Sequence, residues 1–272
     1  MANNTILIID GLNYIYRASS TFDKGDYCII YNFFRNLKAT IEQFNPTKCF
    51  FVLDGNPKYR KSIYSAYKGN RTKYGSSDFQ KNKEHNTFFH SQKNEIIRLL
   101  AYLPIQIIKA KDYEADDVIA FLCGNLKDEN IVICSNDSDY IQLIQTYKNV
   151  KVYDPIKKIF MEDPGIHFLL FRCLVGDVSD NIKGIISEKE AIELCNNTSR
   201  LKEFLSNDEY KADFNLNKQL IEFQKVPEEE LEWFESDTNF NTLKTEFIKM
   251  DFKSMVNDKY WSRFVELFSN IG

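Results

Sequence analysis

Nine carboxylates are the residues of this 272-residue sequence whose types and spacing most directly suggest chemistry. They lie in short groups, each beside the end of a predicted strand or beside one end of a predicted helix. The nine are Asp10, Asp54, Glu114, Asp116, Asp117, Asp137, Asp139, Asp177 and Asp180. So many like charges in one place would repel one another unless cations lay among them.

The ligand chemistry that these acids offer is oxygen only. The three histidines and six cysteines of the chain never pair at ligand spacing, which argues against zinc. Carboxylate oxygens suit Mg²⁺, with Mn²⁺ as a possible substitute. Two such ions together are the usual device for hydrolysing phosphodiesters. The sequence therefore predicts two Mg²⁺ and a phosphodiester substrate.

Strands and helices alternate in the first half of the chain, which predicts an α/β fold with a mostly parallel central sheet and helices on both faces. The predicted strands are Thr5–Asp10, Cys49–Asp54, Ile105–Ile108, Asn130–Ser135 and Val150–Tyr153. The predicted helices between them are Tyr31–Phe44, Thr87–Leu103, Ala115–Leu126 and Ser138–Gln145. Ligands gather outside the carboxyl ends of such strands. A single aspartate there could equally cap the next helix, but three strands that end in aspartate favour a site.

The second half of the chain predicts helices alone. After Met161 the predicted helices are Pro164–Val175, Ser187–Asn196, Ser199–Leu205, Leu216–Phe223, Glu228–Phe234 and Trp261–Phe268. We therefore expect a core at residues 1–178 and a helical region at 179–272.

Charge is distributed unevenly, although the net charge is only −4. Residues 58–73 hold six Lys or Arg and no acid, whereas residues 228–237 hold six acids and no base. Tyr59, Tyr64, Tyr67 and Tyr74 lie among or beside those bases, which favours single-stranded nucleic acid. A solvated basic helix with scattered tyrosines remains the alternative.

With no long apolar run, no secretory signal and no paired cysteines, we expect a cytoplasmic protein away from membranes.

Six motifs, in this order, resemble those of the flap endonuclease/5′→3′ exonuclease family, and within it the group of T-even bacteriophage ribonucleases H. The motifs are IIDGLN (8–13), FVLDG (51–55), YKGNR (67–71), YEADD (113–117), SNDSD (135–139) and GDVSDN (176–181). The resemblance covers nearly the whole chain. It implies a 5′-nuclease or PIN-like core at 1–178 and a helical DNA-binding region at 179–272 with a degenerate helix-hairpin-helix.

The same resemblance implies a function and partners. The expected activity is Mg²⁺-dependent 5′→3′ exonuclease and flap endonuclease hydrolysis of RNA primers and DNA flaps during phage DNA replication. The expected substrates are DNA and RNA–DNA hybrids with 5′ ends, flaps or forks. The expected protein is a monomer in the cytoplasm of the infected host, and a replication single-strand-binding protein is the suggested partner. A non-catalytic, structure-specific DNA-binding protein on the same fold is the alternative.

Residue roles also follow from the resemblance. The first metal position would draw on Asp10, Asp54, Glu114, Asp116 and Asp137. The second would draw on Asp139, Asp177 and Asp180, with Asp117 nearby. Residues 58–84 would form a mobile basic arch, with the substrate-binding residues Arg60, Tyr67, Lys68 and Arg71. Tyr67 would stack on a terminal base and Arg71 would contact phosphate. Lys68, Asp116 and Asp139 are the expected catalytic residues.

One segment departs from the family pattern. Residues 183–191 read KGIISEKEA where the family has a Gly-Ile-Gly hairpin that holds duplex phosphate, often with potassium. Ordinary duplex anchoring and potassium binding are therefore in doubt.

A phosphatase of the haloacid dehalogenase type would need an aspartate at position 12, which is leucine. The acidic stretch Glu228–Asp237 is read as a solvated helix face or as a contact for the single-strand-binding protein.

Overall fold

The protein is described by a computed structural model that covers residues 4–19, 25–69 and 79–272, without the side chains of residues 79–85. Residues 70–78 of the expected arch at 58–84, with Arg71 among them, therefore lie outside the described residues. The strands are β1 Thr5–Asp10, β2 Lys48–Leu53, β3 Gln106–Ala110, β4 Asn130–Cys134, β5 Val150–Asp154, β6 Ile159–Phe160 and β7 Leu231–Phe234.

These strands form one mixed sheet in the order β6-β5-β4-β1-β2-β3-β7. The five inner strands run parallel, and the two edge strands β6 and β7 run antiparallel to their neighbours. The central strand β1 is an apolar run, Ile6–Ile9, that is buried on both faces of the sheet, as parallel strands require. The expected α/β fold with a mostly parallel sheet is confirmed.

Helices cover both faces of the sheet and extend beyond it. They are α1 Gly11–Ser19, α2 Cys28–Phe44, α3 Lys58–Ile63, α4 Phe79–Leu100, α5 Ala115–Asn125, α6 Ile141–Thr146, α7 Phe168–Val175, α8 Glu188–Cys195, α9 Thr198–Phe204, α10 Asp208–Ile221, α11 Phe240–Lys249, α12 Lys253–Val256 and α13 Asp258–Ser269. Within the part of the chain that the structure describes, none of the helices is long and apolar enough to cross a bilayer.

The last helices belong to the core. Phe247 and Phe264, from α11 and α13, are fully buried in the same cluster as Phe34 and Phe51. Phe34 and Phe247 meet edge to face, with ring centroids 4.9 Å apart. The boundary expected at residue 178 therefore does not coincide with a break in the packing, because the chain returns to the sheet after it.

The prediction of a helix at Glu228–Phe234 was wrong. It is a single 3₁₀ turn, Glu228–Glu230, followed by β7. Leu231 pairs with Ala110 and Phe234 with Ile107, so this segment completes the sheet along β3. The expectation that strands end after Met161 was therefore wrong. Long-range pairing outweighs local helix propensity here.

Candidate active site

The carboxyl ends of β1, β2 and β4 bring acidic side chains to one edge of the sheet, as expected. Asp10 ends β1, Asp54 follows β2 and Asp137 lies in the turn after β4, with β1 between the other two strands. The Ser135 and Tyr140 hydroxyls donate to Asp10 Oδ2 at 3.0 and 3.1 Å. Burial, with the charges of Asp54 and Asp137, raises the pKa of Asp10 to about 7. Tyr140 directly follows SNDSD, but the motif itself gave no sign of its hydrogen bond to Asp10.

The start of α5 adds three more acids to this edge. Glu114 precedes the helix, and Asp116 and Asp117 lie in its first turn. The Ala115 backbone N–H donates to Asp54 Oδ1 at 3.1 Å, which ties the end of β2 to the start of α5. Burial, followed by the charge of Asp117, raises the pKa of Asp116 well above its ordinary value. Burial also raises the pKa of Asp54.

Asp117 and Arg60 form a buried ion pair beneath the site. The two Arg60 guanidinium nitrogens donate to the two Asp117 carboxylate oxygens at 2.6 and 2.7 Å. Arg60 is 2% exposed and Asp117 is fully buried. Arg60 also donates to Glu114 Oε2 at 3.0 Å and to the Leu220 carbonyl at 2.8 Å. Arg60 thus ties α3, α5 and the end of α10 together.

This geometry departs from two expectations. Arg60 was expected to contact the substrate, but its guanidinium is buried and saturated by protein oxygens. Asp117 was expected near a metal, but its carboxylate also accepts from the Glu114 and Gln224 backbone N–H groups at 3.2 and 2.8 Å. The YEADD and basic motifs marked both residues as important. They could not show that these two charges neutralise each other.

Tyr67 and Lys68 reach the acids from the other side, just before the residues that the structure leaves out. The Tyr67 hydroxyl lies 2.8 Å from Glu114 Oε2 and 3.1 Å from Asp180 Oδ2, and the side chain is 4% exposed. Tyr67 was expected to stack on a terminal base, but its ring is buried against Leu220 and Ile221. Its hydroxyl instead lies within hydrogen-bonding distance of the Glu114 and Asp180 carboxylates and helps to hold them in place.

Lys68 is the cation at the centre of the site. Its Nζ pairs with Glu114 Oε1 and lies 3.5 Å from Asp180 Oδ2. Burial opposes the charge of Lys68, but the carboxylates of Glu114, Asp180 and Asp116 outweigh burial and raise the pKa of this lysine. The Lys68 backbone N–H donates to the Asp180 carbonyl at 2.9 Å, which fixes the backbone next to the site. Lys68 is therefore a held, protonated amine.

The second group of acids lies around Arg172, which belongs to none of the six motifs. Arg172 pairs with Asp177, and its Nε lies 3.4 Å from Asp139 Oδ1. Burial, followed by the charge of Asp137, raises the pKa of Asp139 to about 7, although Arg172 lowers it. Arg172 is the single charged residue of the apolar helix α7, FLLFRCLV. That isolation is the signal that could have identified it.

The donor set fits divalent cations, although the acids are not already gathered as ligands. Within the described ranges, no three His, Cys, Asp or Glu side chains are grouped so that they could hold a metal ion. Their chemistry still suits one: burial first, and neighbouring carboxylates second, raise the pKa values of Asp10, Asp116 and Asp139, and a bound cation would favour their ionised forms. Asp139 Oδ1 is also buried without a hydrogen-bond partner. A divalent cation that prefers oxygen ligands would stabilise the ionised carboxylates and give Asp139 Oδ1 a partner.

Comparison with known proteins identifies the family. Residues 5–167 match the family model of the 5′-3′ exonuclease N-terminal resolvase-like domain. The chain belongs to the 5′-3′ exonuclease family. The 5′-3′ exonuclease of Aquifex aeolicus (strain VF5) is 29% identical, over 93% of this chain and 94% of the relative. That of Mycoplasmopsis pulmonis (strain UAB CTIP) is 31% identical, over 72% of this chain and 67% of the relative.

Solved structures share the fold of this 5′-3′ exonuclease family member. The T5 D15 protein co-crystallised with metal ions superposes with a TM-score of 0.63 at 17% identity, over 97% of this chain and 99% of that protein. The catalytic core of Rad2 in complex with a DNA substrate superposes with a TM-score of 0.56 at 16% identity, over 97% of this chain and 93% of that chain. At such identity the likeness shows the fold.

Proposed function

We propose that this 5′-3′ exonuclease family member is a divalent-metal-dependent 5′→3′ exonuclease and flap endonuclease. The observation that carries the proposal is the placement of acids from three strand ends, the start of α5 and the turn after α7 at one edge of the sheet, where the protonated Lys68 pairs with Glu114 and lies 3.5 Å from Asp180. The relatives are named 5′-3′ exonucleases, and two of the solved neighbours carry metal ions or DNA.

The family resemblance implies two ion positions, and we propose both for this chain. We assign Asp10, Asp54, Glu114, Asp116 and Asp137 to the first ion, and Asp139, Asp177 and Asp180 to the second. When bound, two such ions stabilise the attacking and leaving oxygens of an in-line phosphodiester hydrolysis. We propose Mg²⁺ as the natural ion and Mn²⁺ as a substitute. Asp117 is omitted, because its carboxylate is fully buried beneath the site and both of its oxygens pair with the Arg60 guanidinium.

Lys68 supplies positive charge to the reacting phosphate. Because the neighbouring carboxylates raise its pKa, its amine stays protonated at neutral pH and cannot act as a general base. A fixed cation that faces developing negative charge lowers the barrier more than it tightens ground-state binding. The buried Tyr67 hydroxyl and the Asp180 carbonyl hold this lysine and its partners in place.

The biological context belongs to the same proposal. We propose that the substrates are DNA and RNA–DNA hybrids with 5′ ends, flaps or forks, and that the enzyme removes RNA primers and flaps during phage DNA replication. It would act as a monomer in the host cytoplasm, and a replication single-strand-binding protein would be its partner. Arg71 is the proposed phosphate contact on the arch, and residues 179–272 the proposed duplex-binding region.

A panel of labelled substrates tests the proposal. Matched 5′-flap, nicked duplex, recessed 5′-end and RNA–DNA substrates would carry either a 5′ or an internal label and be incubated with Mg²⁺ or Mn²⁺. We expect products released from 5′ ends and at the flap junction. Tight flap binding with no cleavage under any divalent ion would support the non-catalytic DNA-binding alternative.

A further inference from the structure

The outer edge of β7 is a strand edge without a partner. β7 ends the sheet, and no strand within the described residues pairs with its other side. In an antiparallel ladder, alternate residues direct their N–H and C=O groups to the neighbouring strand and the rest direct theirs outward. The Leu231 N–H already donates to the Glu228 carbonyl in the preceding 3₁₀ turn, so the outward backbone groups of the later residues of β7 are the ones that another chain could pair with. Proteins usually protect such an edge unless another chain adds to it.

Large aromatic side chains lie on this same strand. Trp233 is 52% exposed and Phe234 is 37% exposed. Trp233 is one of the two tryptophans of the chain. The Trp233 ring lies beside the buried Phe50 ring, with centroids 6.2 Å apart. Trp233 is therefore held at one face and open at the other. Half-exposed tryptophan on a rigid element is typical of protein interfaces.

The charge around β7 selects the kind of partner. Residues 228–237 carry six acids and no base. Among the described residues only Glu232 of these six forms a salt bridge, with Lys109 at 3.0 Å. This charge would repel nucleic acid, and it would repel a second copy of the same strand laid against it. A basic segment of another protein is the occupant that complements it.

We propose that the edge of β7 is a docking surface for a basic, extended segment of a partner protein, which adds as an eighth strand and packs an apolar side chain against Trp233. Backbone hydrogen bonds would supply the affinity and the alternating side chains the selectivity, as in strand addition generally. The surface shares no residue with the acids of the active site. A partner could thus bind while the active site holds DNA, and the proposal does not depend on the proposed nuclease activity.

The test uses a synthetic peptide of alternating lysine and valine, labelled with a fluorophore, and the full-length protein. A control peptide of the same sequence carries N-methyl groups on alternate backbone nitrogens, which keeps its charge but prevents strand addition. Losing two backbone hydrogen bonds should weaken binding by about tenfold or more. Amide hydrogen exchange at residues 231–234 should slow only with the unmodified peptide.

Two variants sharpen the result. In Trp261→Phe the remaining tryptophan is Trp233, whose emission should shift to the blue when the peptide covers it. Replacing Glu228, Glu229 and Glu230 with glutamine should weaken both peptides equally, because these residues supply charge alone. Equal binding of the two peptides, or unchanged exchange at residues 231–234, would overturn the proposal in favour of simple charge attraction. Concentration-dependent dimerisation that protects β7 without peptide would overturn it in favour of a second copy.

Discussion

Replacing Asp117 with asparagine should destabilise the protein, whereas the same change at the adjacent Asp116 should not. Asp117 is the buried counterion of Arg60, and its carboxylate accepts four hydrogen bonds, two from Arg60 and two from backbone N–H groups. An asparagine there has one acceptor oxygen, so its amide would face donors and leave Glu114 as the carboxylate that still pairs with Arg60. Asp116 is the opposite case, because burial and the charge of Asp117 already make its ionised form unfavourable.

The size of the effect follows from the burial of the pair. Arg60 is 2% exposed and Asp117 is fully buried, so solvent cannot replace the lost partner. Removing one member of a buried ion pair costs roughly 3–5 kcal/mol. Because 1 kcal/mol moves the melting temperature by roughly 2–4 °C in proteins of a couple of hundred residues, we expect Asp117→Asn to melt about 10 °C lower. In Asp116→Asn, the amide oxygen of the new side chain could keep the bond that Asp116 Oδ1 accepts from the Asp117 N–H at 2.7 Å.

Thermal unfolding in EDTA and over a Mg²⁺ titration measures both effects. Asp117→Asn should melt lower in EDTA yet still gain stability when Mg²⁺ is added. Asp116→Asn should melt at or above the wild-type temperature in EDTA but gain less from Mg²⁺, because a ligand has been lost. The reasoning fails if Asp117→Asn melts like wild type in EDTA and loses its response to Mg²⁺. Asp117 would then be a metal ligand, as the motif alone suggests.

Three further predictions concern the reaction, the effect of pH and DNA binding. Lys68→Ala should lower kcat by roughly 10²-fold or more while DNA affinity changes little. Single-turnover cleavage and a separate binding assay measure the two effects. If Lys68 only anchors phosphate, the variant will lose DNA affinity and keep its kcat. Since the folded-state pKa values of Asp10 and Asp139 are about 7 against an ordinary 3.8, the stability that their protonated forms contribute is complete below about pH 4 and is lost as the pH rises through 7. In EDTA the melting temperature should therefore fall between pH 5 and pH 7.5. A melting temperature that rises over this range would contradict the assignment. Flap binding should depend steeply on salt, with no specific gain in KCl over NaCl; a clear gain in KCl would show that the turn before α8 binds potassium.

The last of these predictions rests on the turn between α7 and α8. The Ser187 side chain caps α8, and Glu188 and Glu190 lie in its first turn, where a phosphate would otherwise find free N–H groups. Gly184 is needed for another reason, since a Cβ there would lie 2.4 Å from the Val175 carbonyl oxygen. The glycine that remains thus serves close packing of the turn against α7.

The sequence predicted the sheet and the meeting of acids at its edge because both depend on local patterns. Apolar runs that end in Asp10 and Asp54 are readable as buried strands, and parallel strands align their carboxyl ends. The position of β7 was not readable, because LEWF becomes a strand only when β3 offers its edge. Charge pairing was equally hidden. The motifs marked Arg60 and Asp117 separately, while their 57-residue separation concealed a buried ion pair.

The proposed activity requires cations that let the clustered acids act on a phosphodiester. The decisive measurement is the single-turnover rate at which excess enzyme cleaves a 5′-flap substrate, with Mg²⁺ and with EDTA, for wild type and for Asp139→Asn. We expect cleavage at the flap junction with Mg²⁺, none above background in EDTA, and a loss of several orders of magnitude in the variant, whose fold is checked by its melting temperature. Equal rates in Mg²⁺ and EDTA, or a variant as fast as wild type, would contradict the account.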